Sequence, residues 1–505
     1  MEKGYDFEGL FVFDMANNHQ GNLNHGEKII DGVGRVVQEQ GIRAALKFQF
    51  RNLETFIHPE FKGRDDVKHI PRFLSTRLSE DEFSHLADKV REAGMIPMAT
   101  PFDEESLGLI RKLDFEIVKI ASCSASDWPL IKEVVKMGRP VIVSTAGLSI
   151  TQIDNLVAFF EDRKVPFALM HCVALYPTPV ENLQLNQISN LCKRYPHTTI
   201  GFSTHESPDY RHGIQMAYCL GARLFERHVD VEEEGFKMNA YSSTPEQIRG
   251  WIMAYKEAIA ACGPENRAPA SEQEASSLNS LKRGVYAKRP LNGGEALDRE
   301  DVFFAMPLQE GQLESGDWKE GLVADRTYNE GDPISSSIAK HNLSHEQRIK
   351  QIMLQVRGIL NEARIAVGSE FTIELSHHYG LERFREFGAV IINCINREYC
   401  KKLIIQLPRQ KHPYHYHRRK EETFLVLHGD IDIEIDGDRR TYLPGEMVVI
   451  RPGQWHKFQT SHGVIVEEIS TTHYDDDSIY QDKYLRNIDR SKRKTFVENW
   501  NKKLF

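Results

Sequence analysis

Eight short apolar runs, each followed by a segment long enough for a helix, constrain this chain more than any other feature. They are Leu10 to Phe13, Ala44 to Phe48, Met95 to Ala99, Glu116 to Ile120, Val141 to Ser144, Phe167 to His171, Thr199 to Ser203 and Arg223 to Arg227. A strand buried on both faces reads as such a run, and parallel strands need a crossover helix between them. Eight repeats between residue 10 and about 262 therefore predict a (β/α)8 TIM barrel, an α/β fold. Polar residues close every run: Asp14, Lys47 with Gln49, Thr100, Lys119 with Ser122, Ser144 with Thr145, His171, Ser203 with His205, and Glu226 with His228. Each alone is compatible with a satisfied structural role. Their recurrence at the C-terminal ends of all eight runs, where this fold builds its sites, points to chemistry.

At 505 residues the chain exceeds one ordinary core. The pattern divides it into a barrel over 1–265, a small β-rich segment over 278–340 and a third unit over 344–505. Gly263 to Ser277, rich in Pro, Ala, Ser and Glu, reads as a linker. Ser344 reads as the N-cap of a helix running to Val367, and strands follow from Phe371 to about Tyr480. A net charge of −9, with both signs interspersed, argues against a nucleic-acid partner. The short runs Asp475 to Asp477 and Lys492 to Lys494 read as solvated surface. Seven cysteines without CxxC spacing suggest reduced thiols in a cytoplasmic protein. Met1 to Gly9 is charged and lacks a signal-peptide core, and no apolar stretch reaches the length of a membrane span.

The third unit carries His415-Tyr416-His417, Glu422, Gly429, Gly445, Pro452-Gly453 and His456. Residues i and i+2 of a strand share a face, so His415 and His417 converge. With Glu422 and His456 they form a donor set suited to a divalent first-row metal with positions left for substrate oxygens. The spacing resembles the double motif of the cupins, implying a small β-barrel. Arg409 departs from it, standing where that motif usually has glycine.

The first unit resembles the sialic acid synthase (N-acetylneuraminate synthase) family. The resemblance rests on Asp14 to Gly21, Leu46 to Gln49, Ala99 to Asp103, Lys119 to Ser122, Leu175 to Pro179, Gly201 to His205 and Glu226 to His228. Leu281 to Lys288 looks like the start of that family's antifreeze-like (SAF) domain. The resemblance implies condensation of phosphoenolpyruvate with an aldose to a nonulosonic acid, a divalent metal such as Mn2+ on His205 and His228, and a homodimer in which Arg283 reaches the other copy's sugar. Lys47 and Lys119 would supply charge to phosphoenolpyruvate, with Thr100, Ser122, Ser144 and Ser203 as donors and Gln49 and Tyr176 as further substrate contacts. Three departures bear on the chemistry. Ser124 replaces the family's carboxylate, and Asp14, Asp127 and Glu226 are its candidate substitutes. Met238-Asn239 replaces an Asp-His pair at the sugar, and Ala174 replaces a phosphate-binding asparagine. The phosphate end is mostly kept and the sugar end rebuilt, so an aldose other than N-acetylmannosamine is expected.

Phe371 to Glu382, Asn396 to Lys402, His415 to Phe424 and Glu467 to Tyr474 are similar to a D-lyxose isomerase-type cupin. That implies a second divalent metal and a sugar isomerised, or only bound, beside it, with Lys402, Glu468 and His473 as candidate contacts. In the coupled form the cupin would turn a ketose into the aldose the barrel consumes.

Overall fold

The computed structural model describes residues 5–264, 267–340, 344–368, 371–474 and 476–497. The first residues of the Met1 to Gly9 lead-in, part of the Gly263 to Ser277 stretch, and Asp475 lie outside them. The chain forms two compact units, residues 1–269 and 270–505. Among the described residues no helix is long and apolar enough to cross a membrane.

The first unit is a closed eight-stranded barrel in sequential order. Its strands are β1 Leu10–Ala16, β2 Arg43–Phe50, β3 Ile96–Pro101, β4 Ile117–Ile120, β5 Val141–Ser144, β6 Phe167–Cys172, β7 Thr199–Thr204 and β8 Leu224–His228. All eight pairings are parallel, and β1 closes on β8 with Asp14 opposite His228. Alternation sorts the side chains. Leu10, Val12, Ala45, Met98, Ile117, Ile142, Ala168, Met170 and Leu224 pack together inside the barrel. The residues of opposite parity join the larger core beneath the helices. Gly201 has no room for a side chain, since a Cβ there would meet Leu224 O at 2.7 Å. Two residues further along each strand the inward position turns polar, and this is the layer that carries the site.

The first loop costs the fold acid stability. His19 is buried, and its Nδ1 accepts the Gly21 N–H at 3.1 Å. Burial, with a smaller contribution from His25, lowers its pKa to about 4. The unfolded chain takes up that proton near pH 6.5, so the native state loses stability as pH falls from there toward 4, by about 1.4 kcal/mol per pH unit. Denaturant unfolding at pH 7 and pH 5 is expected to differ by about 2 kcal/mol on this account. A His19→Asn variant is expected to show a flatter profile; an unchanged slope would remove His19 as the cause.

The second unit begins with a helix, Glu272–Asn279, which starts within the stretch whose composition reads as a linker. Ser271 caps it and Glu272 and Glu274 occupy its first turn, but it buries no residue. Strands β9 Gly284–Ala287 and β10 Val302–Ala305 pair antiparallel. They pack into a small core with Leu291, Leu297, Leu313, Tyr328 and Ile334. The helix His345–Glu362 starts at Ser344 with a full capping box and ends before Val367.

Twelve strands follow: β11 Thr372–Ser376, β12 Ala389–Asn396, β13 Tyr399–Gln406, β14 His415–His417, β15 Glu422–Gly429, β16 Ile431–Ile435, β17 Asp438–Tyr442, β18 Met447–Ile450, β19 His456–Gln459, β20 Val464–Thr471, β21 Ser478–Tyr480 and β22 Lys494–Val497. They form a seven-stranded sheet, β18-β15-β20-β13-β12-β11-β22, and a five-stranded sheet, β17-β16-β19-β14-β21. The strand region thus runs past Tyr480, because β22 pairs with β11. Arg409 has φ 70°, the left-handed region where glycine is at ease, which accounts for the glycine usual at that motif position.

Candidate active site and metal centre

The polar layer of the barrel consists of Asp14, Lys47, Thr100, Lys119, Ser144, Cys172, Ser203 and Glu226, all buried. Lys47 Nζ lies 2.9 Å from Asp14 Oδ2 and 3.1 Å from Glu226 Oε1. Lys119 Nζ lies 2.6 Å from Glu226 Oε2, and Ser203 Oγ donates to Glu226 Oε1 at 2.9 Å. Asp14 Oδ2 also faces His228 Nε2 at 3.4 Å. Burial alone would raise the Glu226 carboxyl, but the ammonium groups of Lys119 and Lys47 overcome it and hold it well below the carboxylate range. Burial lowers the Lys119 pKa against the pull of Glu226. Thr100 Oγ1 is buried with no hydrogen-bond partner among the described residues. Two buried ammonium groups, balanced by Asp14 and Glu226, and an unpartnered hydroxyl thus face one another at this end of the barrel.

Not every expected residue joins this layer. His171 points the other way, its Nε2 donating to Leu183 O at 2.8 Å, and Cys172 takes the inward place. Asp127 caps the helix Trp128–Val135, accepting the Leu130 N–H. A doubly ion-paired Glu226 is a weak base, which leaves Asp14 as the candidate carboxylate nearest a histidine. Ser124 is buried, and its backbone O accepts the Asp127 N–H. Ser122 Oγ accepts the Ala146 N–H at 3.1 Å. Gln49 Oε1 accepts from Arg51 at 3.2 Å. Arg51, whose guanidinium lies 3.5 Å from the Phe102 ring centroid, is marked by no sequence motif. Asn239 donates to Asn18 Oδ1 at 2.7 Å, tying the Met238-Asn239 stretch to the first loop. Arg283 is exposed, in the second unit.

His205 and His228 stand with ring centroids 5.2 Å apart, and Tyr176 lies 4.4 Å from His205. His205 Nδ1 donates to Val173 O at 3.2 Å, which puts the lone pair on Nε2. His228 Nδ1 is buried without a hydrogen-bond partner among the described residues. Burial, reinforced by His228, lowers the His205 pKa to about 3, and burial lowers that of His228 as well. Two neutral imidazoles with uncommitted nitrogens fit a divalent cation.

In the second unit, alternation delivers a second site. His415 and His417 on β14 and His456 on β19 are buried, with one ring nitrogen of each within 4.8 Å of the others. His415 Nδ1 donates to Pro413 O at 3.0 Å and His456 Nδ1 to Gln454 O at 3.1 Å. A carbonyl only accepts, so in the neutral imidazoles it is Nε2 that carries the lone pair. His417 Nδ1 lies 3.3 Å from Ser478 Oγ and 3.7 Å from Asp477 Oδ2. Glu422 is beside this triad, its carboxylate oxygens 3.3 Å from His417 Nε2 and from His456 Nε2. Acceptors facing acceptors across a buried gap are unfavourable unless a cation sits among them, so the donor set fits a metal. Lys420, unmarked in the sequence, contacts Glu422 and lies 3.1 Å from Glu468. Lys402 lies 3.5 Å from Glu468.

Two runs that read as solvated surface keep that place at Asp476 and Lys492 but not at their other described members. Asp477 is buried and accepts the N–H groups of Arg419 and Lys420. Arg493 and Lys494 line the cavity that also contains His415 and His417. Both assignments depend on the fold of β21 and β22, which a charge run does not reveal.

A NeuB family model matches residues 37–267, and a cupin domain model matches residues 403–466. A crystal structure provisionally described as spore coat polysaccharide biosynthesis protein E from Chromobacterium violaceum is 42% identical, covering 65% of this chain and 99% of its own, with a TM-score of 0.62. Spore coat polysaccharide biosynthesis protein SpsE of Bacillus subtilis is 26% identical over 61% of this chain and 86% of its own length. N-acetylneuraminate-9-phosphate synthase of Drosophila melanogaster is 27% identical over 58% of this chain and 85% of its own. The chain therefore belongs to the NeuB family and carries a cupin domain C-terminal to its barrel.

Proposed function

We propose that the barrel condenses phosphoenolpyruvate with an aldose to a 3-deoxy-2-ulosonic acid of the nonulosonic type. The observation that carries this reading is the buried Asp14–Lys47–Glu226–Lys119 network beside His228, in a chain whose relatives include a named sialic acid phosphate synthase. Lys47 and Lys119 would neutralise the phosphate and carboxylate of phosphoenolpyruvate, while Thr100, Ser144 and Ser203 direct hydrogen bonds to their oxygens. His205 and His228 would hold a divalent cation, which when bound polarises the aldehyde oxygen as a Lewis acid. C3 of phosphoenolpyruvate forms the new bond to the aldehyde carbon, whose oxygen takes a proton; water adds at C2 and phosphate leaves. Asp14, poised between Lys47 and His228, is the carboxylate placed to steer a proton there. A homodimer with Arg283 of one copy at the other's sugar is part of the reading and rests on the resemblance at Leu281 to Lys288.

The test is phosphate release by the full chain with phosphoenolpyruvate, Mn2+ and a panel of aldoses. Release that depends on a particular aldose, with a ulosonic acid identified by mass spectrometry, is expected; no release with any aldose would sink the proposal. A second reading concerns the cupin, where His415, His417 and His456 would hold another divalent metal. Lys–Glu pairs buried beside the triad provide groups that could pass a proton, which favours ketose–aldose isomerisation there. Product formed equally well from ketose by wild type and by His417→Ala would exclude it.

A further inference from the structure

The cupin cavity is built for charge as well as for hydroxyls. Its wall carries Lys402, Lys420, Arg493 and Lys494 against Glu374, Glu422 and Glu468, with Arg490 engaged at His473 Nε2 at 3.0 Å. Each carboxylate already has a lysine. Lys494 lies 2.6 Å from Glu374, Lys420 contacts Glu422, and Glu468 is held between Lys402 and Lys420. Arg493 has no such carboxylate among the described residues: its guanidinium rests 4.9 Å from the Tyr480 ring centroid, and its Nε is buried without a hydrogen-bond partner. The surrounding field is positive enough to act on a neighbour. Burial first, then Lys402, Lys420, Arg490 and Lys494, lower the His473 pKa to about 3. A divalent ion on the triad would add two more positive charges to a cavity whose carboxylates are already spent.

Tyr480 joins the two ends of this cavity. Its ring lies 5.4 Å from that of His415, in a stacked arrangement, and also carries Arg493. The surplus guanidinium and His415 of the triad therefore share Tyr480 as a neighbour and line the same cavity, where one polyol could meet both. We propose that the cupin cavity selects an anionic polyol, its hydroxyls toward the His415–His417–His456 triad and a terminal carboxylate or phosphate at Arg493. This rests on the reading of the triad as a metal site, and it replaces a neutral sugar by a sugar acid or sugar phosphate as the ligand class.

Calorimetric titration of the full chain tests it. Mn2+ alone is titrated first, and then gluconate, ribose 5-phosphate and neutral ribose are titrated into the Mn2+-loaded protein. The same series on Arg493→Gln separates the cupin from the barrel, because only cupin binding changes between the two proteins. One of the anions is expected to bind wild type at least tenfold tighter than ribose, with that advantage lost in Arg493→Gln and regained in Arg493→Lys. Gluconate alone showing the effect assigns a carboxylate ligand; ribose 5-phosphate alone assigns a phosphate. Ribose binding as tightly as both anions, or anion affinities that ignore Arg493→Gln, would overturn the proposal. No Mn2+ uptake by the cupin would remove the metal reading, while an Arg493-dependent preference for anions would still stand or fall by itself. If Arg493→Gln unfolds, raising ionic strength must still weaken the anions and spare ribose in wild type, and failure of that overturns it too.

Discussion

Lys119→Met is expected to reduce phosphate release from phosphoenolpyruvate by a factor on the order of 10² to 10³ in kcat/KM, the loss that follows removal of one preorganised donor from a dry site. Lys119 is 1% exposed, so no water can replace it, and its only ionic partner among the described residues is Glu226. Stability should respond less than activity. In the variant Glu226 keeps Lys47 and the Ser203 hydroxyl, so one carboxylate oxygen is left unsatisfied, at a cost of about 1–3 kcal/mol. Glu226→Gln inverts this order. It strands Lys119, a buried ammonium whose pKa burial already depresses, and breaking such a pair from one side costs about 3–5 kcal/mol. Denaturant unfolding of the two variants beside a phosphate-release assay checks both halves. Activity of Lys119→Met within tenfold of wild type would mean that this lysine does not face the reacting phosphoester.

How much of this could be read without a structure depends on the range of the interaction concerned. Strands β1 to β8 follow the eight apolar runs to within about three residues at either end, since burial on both faces writes itself directly into local composition. The inward polar layer was visible as well, because parity is a local property. Parity also explains the misassignment of His171: the run ends on it, yet counting in twos from Ala168 and Met170 gives Cys172 the inward place. The helix at Glu272–Asn279 was hidden because it buries nothing and so shows no apolar stripe. The cupin triad was legible from spacing, whereas Lys420 and Arg493 were not. Their place in the cavity wall is decided by pairings across long sequence distances, Lys420 to Glu468 and β22 to β11, and a charged residue carries no local mark of such a partner. Asp477 is the same case, a carboxylate buried only because two backbone N–H groups of the β14–β15 connection meet it there.

Loss of one triad imidazole separates the two units functionally. With Mn2+ at 100 times its dissociation constant, the wild-type cupin is expected to gain about 2.7 kcal/mol of stability, seen as a metal-dependent upward shift of its thermal transition. His417→Ala should abolish that shift and reduce the metal bound per chain by one equivalent. The reason lies in the lone pairs. His415 and His456 have their Nδ1 protons committed to Pro413 O and Gln454 O, so neither can turn a donor toward Glu422 to relieve the buried carboxylate. Lys420 alone then balances Glu422, and two imidazoles make a poor substitute for three. Phosphate release from phosphoenolpyruvate and a preformed aldose should survive in His417→Ala, because His205 and His228 belong to the other unit. His228→Ala should do the reverse, stopping release while the cupin still takes up its metal. Metal analysis and a thermal scan of both variants decide the matter: an unaltered metal content and transition in His417→Ala would show that the triad binds no ion.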